Sequence, residues 1–148
     1  MDRRTFCKST VLLSALAIPS RALAAPTRAT LYKNPDCSCC EGYAAYLKNN
    51  GFDVTVKPTN DLAEISRNAG VPEQLQGCHT MFVGGYVVDG HVPVKIIRKL
   101  LAERPAIAGL TLPGMPEGSP GMSGEKREPF VIYAVYKTGT EPTVYATD

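Results

Sequence analysis

The apolar residues of the chain fall into short segments of two different periods. "ATLYK", from Ala29, is a β-type run that stops at "NPD", where Pro35 with Asn34 and Asp36 favours a loop. From Cys39 or Cys40 to Asn50 the apolar positions Tyr43, Ala44, Tyr46 and Leu47 recur at helical spacing, and Gly51 stands where a helix C-cap is expected. "FDVTVKP" alternates as a strand. "NDLAEISRNAG" predicts a second helix, with an Asn/Asp start, apolar Leu62, Ile65 and Ala69, and a closing Gly70. "TMFVGGYVVDG" predicts a β-hairpin turning at Gly84-Gly85, with Cys78 and His79 immediately before its first strand. A third helix follows, opened by Pro93, with Val94, Ile97, Leu100 and Leu101 as its apolar face up to Glu103.

The order β-α-β-α-β-β-α is that of a thioredoxin-like fold, an α/β arrangement with a central mixed four-stranded sheet flanked by helices. In that arrangement the loop after the first strand and the segment before the third meet at one edge, so Cys37, Cys39 and Cys40 are expected beside Cys78. Beyond Glu103 the stretch "RPAIAGLTLPGMPEGSPGMSGEKREP" is rich in Gly and Pro and has no regular period, which predicts one extended loop. "FVIYAVYKTGTEPTVYA" alternates again and predicts a terminal hairpin turning near Gly139.

The first residues change the domain picture. "MDRRTFCKS", with Arg3, Arg4 and Phe6, runs into the apolar "TVLLSALAIP" and then "RALAAP", which resembles a twin-arginine export signal cleaved after Ala24. About ten apolar residues are too few for a membrane span, which needs roughly 20, so stable membrane insertion is not expected. The expected organisation is a signal over residues 1–24 and one metal-binding domain over residues 25–148, in the periplasm. The signal holds four of the 16 Lys+Arg and one of the 14 Asp+Glu, which leaves 12 against 13 and a net charge of −1 in place of +2. That balance gives nucleic acid or an anionic surface no electrostatic footprint.

Four cysteines remain after the signal. Cys37, Cys39 and Cys40 crowd into "CSCC", and three readings compete for them. Structural cross-linking gains little, because bridges within so short a segment close almost no loop, and neighbouring Cα atoms about 3.8 Å apart strain a Cys39–Cys40 bond. Thiol–disulfide oxidoreductase chemistry suits Cys37 and Cys40, a C-x-x-C pair at a helix N-terminus where the dipole favours thiolates. Metal binding uses every cysteine. Three adjacent thiolates repel one another unless a cation neutralises them, and soft, bridging thiolates select copper(I), with several ions per chain accommodated by sharing. His79 is a further candidate ligand, as are Met115 and Met122, which lie in the Gly/Pro loop with no core period to explain them. His91, between Gly90 and a helix start, reads as a capping or supporting residue. Met81 reads as core, and Tyr32, Tyr43 and Tyr46 as fillers of a helix–sheet interface. No nucleophile–base–acid set or phosphate loop is visible, so no catalytic residues are assigned.

The motifs "CSCC" after "NPD", "GCHT", "DGHVP" and "GMPEGSPGM", in that order, resemble the periplasmic copper-resistance proteins of CopG type, over nearly the whole chain from about Ala29. The resemblance implies a thioredoxin-like fold that binds copper through cysteines and works with other periplasmic copper-handling proteins. By position, Cys37, Cys39 and Cys40 match the family's triple-cysteine motif and Cys78 its downstream cysteine.

Overall fold

The computed structural model describes residues 25–148. The export signal expected over residues 1–24 lies outside the described residues. The elements are β1 (Thr27–Lys33), α1 (Ser38–Asn49), β2 (Phe52–Pro58), α2 (Leu62–Asn68), β3 (His79–Val83), β4 (Tyr86–Gly90), α3 (Val94–Glu103), β5 (Gly109–Leu112), β6 (Val131–Val135) and β7 (Thr143–Thr147), with one 3₁₀ turn at Glu73–Leu75. The first seven elements follow the predicted order. No described helix is long and apolar enough to cross a membrane.

The sheet has seven strands where four were expected, in the order β2-β1-β3-β4-β5-β6-β7. β1 runs parallel to β2 and antiparallel to β3, β4 pairs antiparallel with β3, and the remaining three strands extend this set. The stretch after Glu103 is therefore not one loop: its "GLTL" forms β5, parallel to β4. All four residues of β5 are buried, so both faces are covered and the alternation that marks a half-exposed strand is missing. Gly109 is required there, since a Cβ would fall 1.8 Å from the carbonyl oxygen of Val87. The terminal hairpin forms as β6 and β7.

α1 buries Tyr43, Ala44 and Leu47, and α3 buries Val94, Ile97 and Leu100, in one core with Leu31, Met81, Val88, Leu110 and Ile132. Ala69 and Val71, just after α2, join Val87, Ala108 and Val135 in a second, smaller core. Val87 and Val88 are successive residues of β4 and so point to opposite faces, which places a core on each side of the sheet. At the far end of α1, Asn50 caps the helix and Gly51 follows at φ 85°, a left-handed conformation that favours glycine.

Candidate metal centre

The centre is assembled from three stretches distant in sequence. The first is the turn between β1 and α1. Cys37 occupies the cap position of α1 in extended conformation, so Cys39 and Cys40 fall in the first helical turn, where backbone N–H groups and the dipole favour anionic sulfur. The second stretch is the entry to β3 with the exit of β4, which brings Cys78, His79 and His91. The third is the segment Pro116–Met122 between β5 and β6. Its Gly121 packs so closely on α1 that a Cβ would lie 2.4 Å from the backbone nitrogen of Tyr43.

All four cysteines converge, their Sγ atoms lying within 4.8 Å of one another. Cys37 and Cys40 are joined as a disulfide with Cα atoms 5.5 Å apart, whereas Cys39 and Cys78 are free thiols. Cys39 Sγ stands 3.4 Å from Cys37 Sγ and 3.6 Å from Cys78 Sγ, and Cys40 Sγ is 3.3 Å from the carbonyl oxygen of Cys78. Burial, with Cys39 beside it, pushes the Cys78 thiol well above the ordinary range, so the metal-free centre keeps this proton at neutral pH.

Behind the sulfurs lie the two imidazoles. His79 is fully buried, with Nδ1 3.5 Å from Cys78 Sγ. Its Nε2 is the one buried side-chain nitrogen or oxygen without a partner among the described residues. Burial, and then the neighbouring His91, depress its pKa to about 3, which leaves a neutral imidazole with a lone pair available for a metal. His91 is more than a cap: its Nδ1 donates to the carbonyl of Pro120 at 2.6 Å, so its lone pair sits on Nε2, 3.2 Å from Cys78 Sγ. Cys78, His79 and His91 thus form a second group of convergent donors that shares Cys78 with the first.

The methionines separate. Met122 is half-buried and follows Gly121, at the edge where the Pro116–Met122 segment meets α1. Met115 is 38% exposed, in a left-handed turn at φ 44°. Met81 is core, as expected.

Three contributors were not apparent in the sequence. Tyr43 stacks on His79 at 4.6 Å between ring centroids and lies 5.1 Å from His91, while its hydroxyl donates to the carbonyl of Val92 at 2.7 Å. Tyr43→Phe removes that donor and leaves a buried carbonyl unpaired, at a cost of about 1–2 kcal/mol. A lower denaturation midpoint with unchanged metal stoichiometry is the expected result, read by chemical denaturation of metal-free and loaded protein. Asp89 is buried on β4, where it accepts hydrogen bonds from the Gly77 backbone N–H and from the Thr80 hydroxyl at 2.7 Å, and so anchors the residue preceding Cys78. Lys33, at the end of β1, is 2% exposed and lies beneath the Cys37 loop.

Fold and site together define a small α/β protein whose cysteines and histidines converge on one soft-donor centre. The family model described as "Protein of unknown function, DUF411" matches residues 75–122, which include Cys78, His79, His91, Met115 and Met122. Two solved structures, "Copper resistance protein copG", forms 2 and 1, are each 34% identical to the chain, with TM-scores of 0.76 and 0.75. Each match covers 83% of this chain and 98% of the solved one. No curated protein matches. The chain belongs to the CopG family of copper resistance proteins.

Proposed function

We propose that the protein is exported to the periplasm and binds copper(I) there through Cys37, Cys39, Cys40 and Cys78, as a multinuclear thiolate cluster serving copper resistance. Convergence of four sulfurs within 4.8 Å is the observation that carries this reading. A single tetrahedral ion would be ligated by all four, whereas neighbouring cysteines on one helical turn more readily bridge several soft ions. The neutral imidazole of His79, whose Nδ1 lies 3.5 Å from Cys78 Sγ, and the lone pair of His91 Nε2 supply neutral donors at the back of the site. Met122 adds a thioether at its edge; Met115, seven residues earlier, is the weaker candidate. The first four strands, with β1 parallel to β2 and β3 antiparallel to β1, support a thioredoxin-like reading of that part of the sheet.

The Cys37–Cys40 disulfide adds a redox possibility. Oxidation of these two thiols to the disulfide releases two electrons and two protons, enough to convert two copper(II) ions to copper(I). The same oxidation removes two of the four thiolates, so the disulfide form holds copper less well than the dithiol. A second reading, thiol–disulfide oxidoreductase, is favoured by this disulfide and by the free Cys39 thiol 3.4 Å from Cys37 Sγ.

Elemental analysis separates the two. The experiment uses protein reduced and purified anaerobically, then offered copper(I) and zinc together. More than one copper per chain, lost on alkylation of the thiols, is the expected result. Absence of copper, with a Cys37–Cys40 disulfide that forms and reduces reversibly, would overturn the copper reading in favour of the oxidoreductase.

A further inference from the structure

Lysine is almost never fully buried unless its charge is paired, because removing an ammonium from water is costly. Lys33 is nonetheless 2% exposed. Alternation along β1 puts it on the same side as Ala29 and Leu31, and the β1–β3 register sets it directly opposite His79. Its Nζ reaches the carbonyl oxygens of Asn34 at 3.2 Å, Pro35 at 3.0 Å and Cys37 at 3.4 Å, and a carboxylate oxygen of Glu41 at 3.1 Å. The side chain of Glu41 is 62% exposed, so water screens this last contact and the three carbonyls are the principal partners.

We infer that Lys33 is the positioning residue of the cysteine loop: its buried ammonium holds the Asn34–Cys37 turn in the conformation that makes Cys37 and Cys39 converge. The inference rests on the copper-binding reading for its consequence, and on geometry for its substance. Every residue of the turn except Asp36 gives its carbonyl to this one cation, and the Cys37 N–H closes the turn onto the Asn34 carbonyl at 3.1 Å. Cys37 makes no side-chain cap to the helix; its sulfur, bonded here to that of Cys40, lies 3.4 Å from Cys39 Sγ. Without the ammonium, the Pro35 and Cys37 carbonyls lose this donor and that of Asn34 keeps only the Cys37 N–H, so the turn relaxes toward water and carries Cys37 with it. The charge acts in the same direction. A helix N-terminus supplies roughly half a positive charge, and a fixed cation beneath the turn adds to it against the mutual repulsion of the thiolates.

The test compares Lys33→Met, Lys33→Gln and Lys33→Arg with the unmodified protein in a copper(I) competition assay against a chromophoric chelator, with thermal unfolding measured on the same samples. Met and Gln are expected to weaken copper(I) binding about 10–100-fold, the range for loss of a group that orients metal ligands, and Arg to restore it to within a few-fold. A folded Met or Gln variant with unchanged affinity overturns the inference. Should Lys33→Met fail to fold, the contrast between Gln and Arg decides. If the unmodified protein takes up no copper, the copper reading fails by itself. The loop is then read by the iodoacetamide alkylation rates of Cys39 and Cys78 in reduced protein: altered rates in the Gln variant, restored by Arg, support the inference, and equal rates in all forms overturn it.

Discussion

Cys78→Ser is expected to weaken copper(I) binding by more than about 100-fold, beyond the loss that accompanies removal of an outer supporting group. Its position explains the size of the effect. Cys37, Cys39 and Cys40 come from one turn of chain, whereas Cys78 closes the centre from the opposite side, 3.6 Å from Cys39 Sγ and 3.2 Å from His91 Nε2. Cys78 is also shared by both groups of donors, so its loss disconnects the sulfurs from the imidazoles. Serine matches the shape and substitutes a hard oxygen that copper(I) disfavours. The Cys37–Cys40 pair is left intact, so reduction of a small disulfide by the dithiol should continue at a rate close to that of the unmodified protein. Unchanged copper stoichiometry and affinity in this variant would remove Cys78 from the ligand set. Proton release gives a second check on the same residue. Because Cys78 is protonated in the metal-free centre, copper must displace a proton, and affinity should rise about tenfold per pH unit for each proton released across the neutral range.

Asp89→Asn is expected to stabilise the metal-free, reduced protein at pH 7–8 by about 1–3 kcal/mol while leaving it unchanged near pH 4. Burial lifts the Asp89 carboxyl from 3.8 to about 6, against the opposing hydrogen bonds from Thr80, Gly77 and Ser66. Between these values the unfolded chain has lost the proton and the folded one keeps it, so Asp89 makes stability fall as pH rises, and its full cost remains above pH 6. The amide of asparagine keeps the contacts: its oxygen still accepts from the Gly77 N–H, and its NH2 meets the Thr80 hydroxyl, whose own proton is then free for the Ser66 hydroxyl 2.5 Å away. His79 works in the opposite sense. Its pKa of about 3 means that the unfolded chain takes up a proton the folded one refuses, so its contribution is lost as pH falls below about 6.5. Asp89 offsets this slope between about pH 4 and 6, and Asp89→Asn uncovers it. Urea denaturation at a series of pH values reads both effects; a profile in the variant parallel to that of the unmodified protein would show that folding does not shift Asp89, and would overturn the prediction.

Much of the frame was legible because its punctuation is local. Gly84-Gly85 marked the hairpin, Gly51 the end of α1, and Pro93 the start of α3, each through a backbone requirement that one residue type meets. The convergence of Cys78 on the CSCC turn followed from element order alone. β5 was hidden because four residues buried on both faces carry no period, and Pro and Gly on either side disguise them as loop. Asp89 carried no signal of its own, since a carboxylate beside Gly90 has the composition of a strand end, although every residue of β4 is buried. Tyr43 had the spacing of a core residue, which it is, and nothing local reveals that its ring lies on two histidines. Lys33 did leave a signal: it falls two residues after Leu31 and four after Ala29, on the side that alternation assigns to the interior.

The close approach of Gly121 to Gly42 and Tyr43 bears on the order of assembly. This contact joins the first helix to a segment that is synthesised only after β5, and its entropy cost is met once the strands between have closed. A chain in which this contact has not formed also lacks the Pro120 carbonyl that fixes the His91 ring, so the imidazole side of the centre depends on this late segment, whereas Cys37, Cys39 and Cys78 stay partly exposed even in the finished protein.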